Sequence, residues 1–180
     1  MAIKNFWAFN PGETIFAEKL YQKYKNHIDL YFPIKDSGID LLAVSKDKRH
    51  ILSFQIKESR YYEDEDCAWH QENIKNFTKN KDKVDFYVFV IYLPGHLVNA
   101  KRKSKFEIKF VIVPTKELWR RIQRKKPNKN GTYNFYFRFR DDGTLQEVRE
   151  KKSVIQDNSL NFDYTKYLNA WSLIHEAYEA

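Results

Sequence analysis

A chain of 180 residues with 42% hydrophobic content, 17% aromatics and a single cysteine, Cys67, predicts one domain over 1–180; it excludes a disordered chain, an intramolecular disulfide and a thiolate zinc cluster. Thirty-two Lys and Arg against 24 Asp and Glu leave a formal charge of +8, which favours a polyanionic partner without naming one. No run reaches the roughly eighteen apolar residues of a membrane span, and the N-terminus lacks a positive-then-apolar signal pattern, so a soluble cytoplasmic protein is expected.

In chain order, Asn10-Pro11-Gly12 marks a turn. Ile15, Phe16, Leu20 and Tyr24 then recur at three-to-four spacing and predict a helix over 13–25. Residues 26–33 leave that helix, and Phe32-Pro33 blocks another. Asp36-Ser37-Gly38 turns into an apolar strand over 39–44, and a polar connection over 45–49 leads to a second strand over 50–57. Glu63-Asp64-Glu65-Asp66 reads as a loop and helix start, since negative charge suits a helix N-terminus. The helix predicted after it covers 69–81, with Ile74 and Phe77 turned inward. Residues 84–93 are almost continuously apolar, as a strand buried on both faces would be, and Pro94-Gly95 stops them. A strand over 106–113, a cap at Pro114-Thr115 and a short helix over 116–124 follow. Residues 133–140 alternate aromatic with polar or basic side chains as a strand, and Asp141-Asp142-Gly143 is a turn. Tyr164, Tyr167, Leu168, Trp171, Ile174 and Tyr178 form an aromatic stripe at helical spacing, read first as core packing. This order predicts an α/β fold: a mixed β-sheet flanked by helices, with an αβββαβ core over about 12–124 and a C-terminal strand and helix extension over 125–180.

The chemistry concentrates in the predicted hairpin. Gly38-Ile39-Asp40-Leu41-Leu42-Ala43 supplies a carboxylate, and Gln55-Ile56-Lys57 supplies an amide and an ammonium. Strand alternation puts Gln55 and Lys57 on one face and turns Ile56 and Glu58 to the other. A carboxylate, an amide oxygen and an exposed strand carbonyl are hard donors suited to a hydrated Mg²⁺, which Mn²⁺ can replace. A neighbouring lysine can orient a nucleophilic water or neutralise charge on a phosphate. The combination reads as metal-assisted phosphodiester hydrolysis.

These segments, with Gly12 and Ala17-Glu18-Lys19-Leu20 ahead of them, resemble the PD-(D/E)XK nucleases, in the glutamine form that Mrr-type restriction endonucleases use. Archaeal Holliday-junction resolvases share that fold. The resemblance covers roughly residues 12–124. It implies a restriction-endonuclease-like fold, with Asp40 as principal metal ligand, Gln55 lending its side-chain oxygen and Ile56 its main-chain carbonyl. Lys57 would position the attacking water, and Glu18 would hold a metal-bound water across the cleft. Gln55 departs from the commoner acidic residue and leaves the site one negative charge poorer. Glu58, though adjacent to Lys57, is aimed away from Asp40 and is not expected to be a ligand.

Two densely basic runs hold Lys101, Arg102, Lys103 and Lys105, and Arg120, Arg121 and Arg124 with Lys125, Lys126 and Lys129. They read either as phosphate contacts or as solvated faces, and so do Arg138 and Arg140, which alternate with Phe135, Phe137 and Phe139. His70 has no second histidine at ligand spacing and reads as a packing or surface residue. Neither a Walker-type loop nor a GxGxxG run occurs, so no nucleotide cofactor is expected. The expected function is a Mg²⁺-dependent endodeoxyribonuclease. One such site cuts one strand, so a double-strand break requires a homodimer or two encounters. The alternatives are a nucleic-acid-binding module on the same fold with a degraded site, and a protein-interaction subunit that docks through the C-terminal aromatic helix.

Overall fold

A computed structural model describes residues 10–34, 37–95, 106–148 and 162–179. The elements are α1 (Pro11–Tyr24), β1 (Ile28–Tyr31), β2 (Leu41–Ser45), β3 (Ile51–Tyr62), β4 (Cys67–Asn73), α2 (Ile74–Asn80), β5 (Phe86–Pro94), β6 (Phe106–Pro114), α3 (Thr115–Ile122), β7 (Thr132–Phe139), β8 (Leu145–Glu147), a 3₁₀ turn (Thr165–Tyr167) and α4 (Trp171–Glu179). The architecture is the expected mixed α/β sheet with helices packed against it.

β3 organises the sheet because it serves three partners. Its first residues pair antiparallel with β2, from Val44↔Ile51 to Leu41↔Phe54. Its middle runs parallel to β5, from Phe54↔Phe86 to Arg60↔Tyr92. Its last two residues, Tyr61 and Tyr62, pair with Ala68 and Cys67 of β4. From there the sheet continues through β7 to β8, while β6 borders β5 and β1 borders β2.

β5 lies between the two halves of the core. Tyr87, Phe89 and Ile91 pack with Phe77, Leu118, Phe135, Phe137 and Tyr164 on one face. Phe86, Val88 and Val90 pack with Phe16, Leu20, Leu41 and Ile174 on the other. Burial on both faces explains the unbroken apolar run, and each fully buried Phe or Leu contributes about 1.5–3 kcal/mol.

The structure differs from the sequence expectation in several places. Residues 28–31 form a strand whose four residues are too short to show a pattern, although Ile28 is buried. Residues 67–73, expected to open a helix, form β4 instead, with Ala68, His70 and Glu72 inward and Trp69 and Gln71 outward. β7 supplies the partner that makes this stretch a strand, from Ala68↔Phe137 to Asn73↔Thr132. The helix starts only where the Asn73 side chain accepts the N–H groups of Lys75 and Asn76, at 2.9 and 3.4 Å. The acidic run 63–66 is therefore the β3–β4 turn, with Asp66 at φ 51°. β8, three residues long, is also additional.

At the C-terminus the aromatic stripe is broken at Asn169, which adopts φ 51°. Tyr164 and Tyr167 belong to the 3₁₀ turn region, while Trp171 opens α4 and stacks on Phe16 with ring centroids 5.6 Å apart. Tyr164, Tyr167 and Ile174 are buried, which is the packing reading of that stripe. No described helix is long and apolar enough to cross a membrane.

Candidate active site

The site forms where β2 parts from β3. The Asp40 N–H donates to the Phe54 carbonyl at 2.8 Å, and the pairing of β2 with β3 ends there. The Asp40 carboxylate fills the gap. Its Oδ2 accepts the Ile56 N–H at 2.7 Å and the Gln55 side-chain amide. The N–H and C=O of one strand residue point to the same side, so the Ile56 carbonyl opens on this edge too. A pocket of about 480 Å³ lies against it, lined by Glu13, Asp40, Gln55, Ile56, Lys57 and Glu72 among others. Gly38 leads into the site at φ 81° and packs on α2 so closely that a Cβ would lie 1.9 Å from Asn80 Nδ2.

β4 contributes Glu72, whose Oε2 lies 3.1 Å from Lys57 Nζ. That oxygen is buried, and the Lys57 ammonium is the cation set against it. Burial pushes the Glu72 carboxyl above the usual glutamate range, repulsion from Asp40 adds to this, and Lys57 pulls it back in part.

α1 contributes Glu13, 2% exposed, whose Oε1 accepts from Asn10 Nδ2 at 3.3 Å. Glu18, the residue expected here, is exposed; it accepts from Gln22 Nε2 at 2.8 Å and borders a depression with Tyr21 and Asp29. The reason is helical phase. Five residues turn a helix by about 140°, so Glu13 shares the face of Phe16, Ala17 and Leu20 while Glu18 does not. Glu58 also borders the pocket, but its Oε2 accepts from the Gly12 N–H at 2.6 Å and from the Tyr92 hydroxyl at 2.8 Å. Gly12 leaves no room there: a Cβ would lie 2.7 Å from that oxygen.

Carboxylates outnumber cations in the lining, with Glu13, Asp40, Glu58 and Glu72 against Lys57 and Lys79. Among the described residues, no three His, Cys, Asp or Glu side chains converge as a metal centre. The donors on hand are one or two carboxylates, the Ile56 carbonyl and an amide, with open volume for water. That set suits Mg²⁺, which keeps several waters and takes few protein ligands. Gln55 now turns its NH₂ toward Asp40, and a half-turn of the amide would present its oxygen instead.

His70 stands apart from this chemistry. Its ring lies edge-on to Phe89 and Phe137, at 5.2 and 5.7 Å, and burial lowers its pKa to about 3. It is a neutral packing residue.

Several expected phosphate contacts are engaged internally. Arg121, 3% exposed, donates to Glu117 and to the Asp163 carbonyl at 2.8 and 2.9 Å and covers the rings of Tyr164 and Tyr167. Burial removes it from any phosphate. Arg120 makes a two-pronged contact with Glu117 at 2.8 Å. Arg138 donates to the carbonyls of Asp66 and Glu65 at 2.9 and 3.1 Å, and Arg140 to Gln146 Oε1 at 3.1 Å, so both brace turns and edges. Arg124 is exposed. Lys101, Arg102, Lys103 and Lys105 lie outside the described residues.

No family model matches the chain, and no curated protein matches it. A solved structure similar to it is that of a bacterial homing endonuclease, I-Ssp6803I, at 16% identity over 91% of this chain and 87% of that one, with a TM-score of 0.46. The chemistry of the pocket rests on this chain's own geometry.

Two pocket carboxylates lie outside the sequence reading. Glu13 carries a signal: an acid at the same helical phase as Phe16, Ala17 and Leu20 faces the core or a cavity. Glu72 carries a weaker one, the alternation Ala68, His70, Glu72, which is ambiguous until β7 is known to pair with it.

Proposed function

We propose that the Asp40 pocket is the catalytic centre of a Mg²⁺-dependent endonuclease of the PD-(D/E)XK type, hydrolysing DNA phosphodiester bonds. One observation carries this reading: a buried carboxylate, an amide, a strand carbonyl edge and a lysine meet at one solvent-reachable break in the sheet. Asp40, the Ile56 carbonyl and Gln55 would hold the ion, with Glu13 and Glu72 placed to accept from its water shell. When bound, the ion supplies charge stabilisation at the phosphate and a more acidic water.

Lys57 does the rest from the protein side. Its ammonium, steadied by Glu72, can donate to the attacking water or to the oxygens where negative charge develops. Cleavage of supercoiled plasmid by the full chain, with Mg²⁺ or Mn²⁺ and with EDTA, tests the proposal. Metal-dependent nicking that disappears in Lys57→Ala supports it, and unchanged cutting by that variant refutes it.

A second reading has its own observation. The Gln55–Asp40 hydrogen bond and the Lys57–Glu72 ion pair let the site satisfy much of itself without metal, as a binding-only relative would. Calorimetric titration with Mn²⁺ separates the two, because only the nuclease requires uptake that is lost in Asp40→Asn.

A further inference from the structure

The nuclease reading, on which this inference rests, leaves a physical problem. A pocket lined by four carboxylates and two lysines repels a phosphodiester backbone, so cations beside it must draw the strand in. Arg120 and Arg121 share one carboxylate, Glu117, while Arg138 pairs with Asp66 and buried Lys125 with Glu147, so these cations are already engaged within the fold.

α2 is different. It carries Lys75 and Lys79, both exposed and, among the described residues, neither with an ion-pair partner. Its own sequence, Ile74-Lys75-Asn76-Phe77-Thr78-Lys79-Asn80, holds no acid. Phe77 anchors the helix, stacking on Trp119 at 5.7 Å, so the opposite side is presented rigidly to solvent. Lys79 and Asn76 line the Asp40 pocket. Lys79 also lines a shallow depression of about 530 Å³ with Ile74, Lys75 and Thr78. One lysine therefore connects the acidic pocket to a neutral-to-basic groove along the helix.

We propose that α2 is a rail for the DNA backbone beside the scissile bond: Lys79 takes the phosphate next to the pocket and Lys75 its neighbour. Their i, i+4 spacing sets the two Cβ atoms about 6 Å apart, and flexible stems let the ammonium groups meet successive phosphates of one strand. Asn76 and Thr78 add neutral donors of the kind that fix register on a backbone. The loop that supports α2 extends the charge, because the Ile74 N–H donates to the Gly131 carbonyl at 2.8 Å and Lys129 on that loop is exposed.

The test is fluorescence anisotropy of a labelled duplex of about 30 base pairs with the full chain in EDTA, at several salt concentrations between about 50 and 200 mM. Each lysine lost should weaken binding about five- to tenfold and reduce the slope of log affinity against log salt by about 0.9, so Lys75→Ala/Lys79→Ala should lose about 1.8. Lys48→Asn is the control. Lys48 is exposed at φ 60° in the β2–β3 turn, at the opposite end of β2 from Asp40, and asparagine tolerates that backbone. A double variant with the parental slope overturns the rail, and so does an equal loss of slope in Lys48→Asn. If the parent binds DNA but the double variant is unaltered, the rail alone fails. If the parent binds no DNA at low salt, the nuclease reading fails with it.

Discussion

Lys125 and Glu147 are 8% and 2% exposed, and Asp40 and Glu72 are 5% and 4% exposed, yet the two regions use buried charge differently. Around Lys125 each charge is answered. Its ammonium meets Glu147 and lies 5.2 Å from the Phe135 ring centroid, and the other Glu147 oxygen accepts the Tyr136 N–H at 3.2 Å. Arg121, with Glu117, a carbonyl and two tyrosine faces, repeats that pattern. Around Asp40 the acids are in surplus, Glu72 is answered by a partly exposed lysine, Lys57, and open volume adjoins them. Depth of burial does not separate structural from chemical charge; balance and access do.

The strongest challenge to that contrast is Lys57→Ala. It should lower the cleavage rate about 10³-fold while DNA affinity in EDTA stays within about twofold, measured by plasmid nicking and anisotropy. A surviving rate would make the pocket another structural cluster. On the other side, Lys125→Met should cost about 3–5 kcal/mol in urea unfolding and leave cleavage per folded molecule unchanged. Adding Glu147→Leu should restore much of the loss, since the stranded carboxylate then goes too.

A smaller effect comes from metal. At about a hundred times its dissociation constant, Mn²⁺ should stabilise the parent by about 2.7 kcal/mol in thermal or urea melts and leave Asp40→Asn unmoved. The finest distinction is in pH. The fold holds the Glu72 proton more tightly than the unfolded chain does, so ionised Glu72 disfavours the native state. In EDTA its contribution is greatest below the ordinary value of 4.5 and is lost as pH rises through the raised pKa. Glu72→Gln should flatten that decline in a series of melting temperatures. An identical decline in the variant would assign it elsewhere.

Much of the scaffold is legible in the sequence because it rests on local pattern. The apolar run of β5, the Asp40 turn and the alternation of Gln55, Ile56 and Lys57 each specify a backbone state within a few residues. The illegible parts depend on partners distant in sequence. Residues 67–73 suit a helix as well as a strand until β7, more than sixty residues on, supplies hydrogen bonds, as the Trp69–Asn134 separation of 65 shows. Glu72 is hidden along with that segment. Glu18 matches the nuclease motif by its letters, but helical phase selects Glu13. The arginines mislead for a third reason: whether a guanidinium is free depends on acids, carbonyls and rings brought in by folding, such as Asp163 and Tyr164 for Arg121.

The missing side chain at position 12 has a reach beyond its own surroundings. Because Glu58 grips the first turn of α1 through that amide, a methyl group there would pry the helix start off the sheet, and Glu13 would swing with it. Gly12→Ala is thus a lever on the cleft from behind its wall, able to detune one acid while Asp40, Gln55 and Lys57 stay where they are.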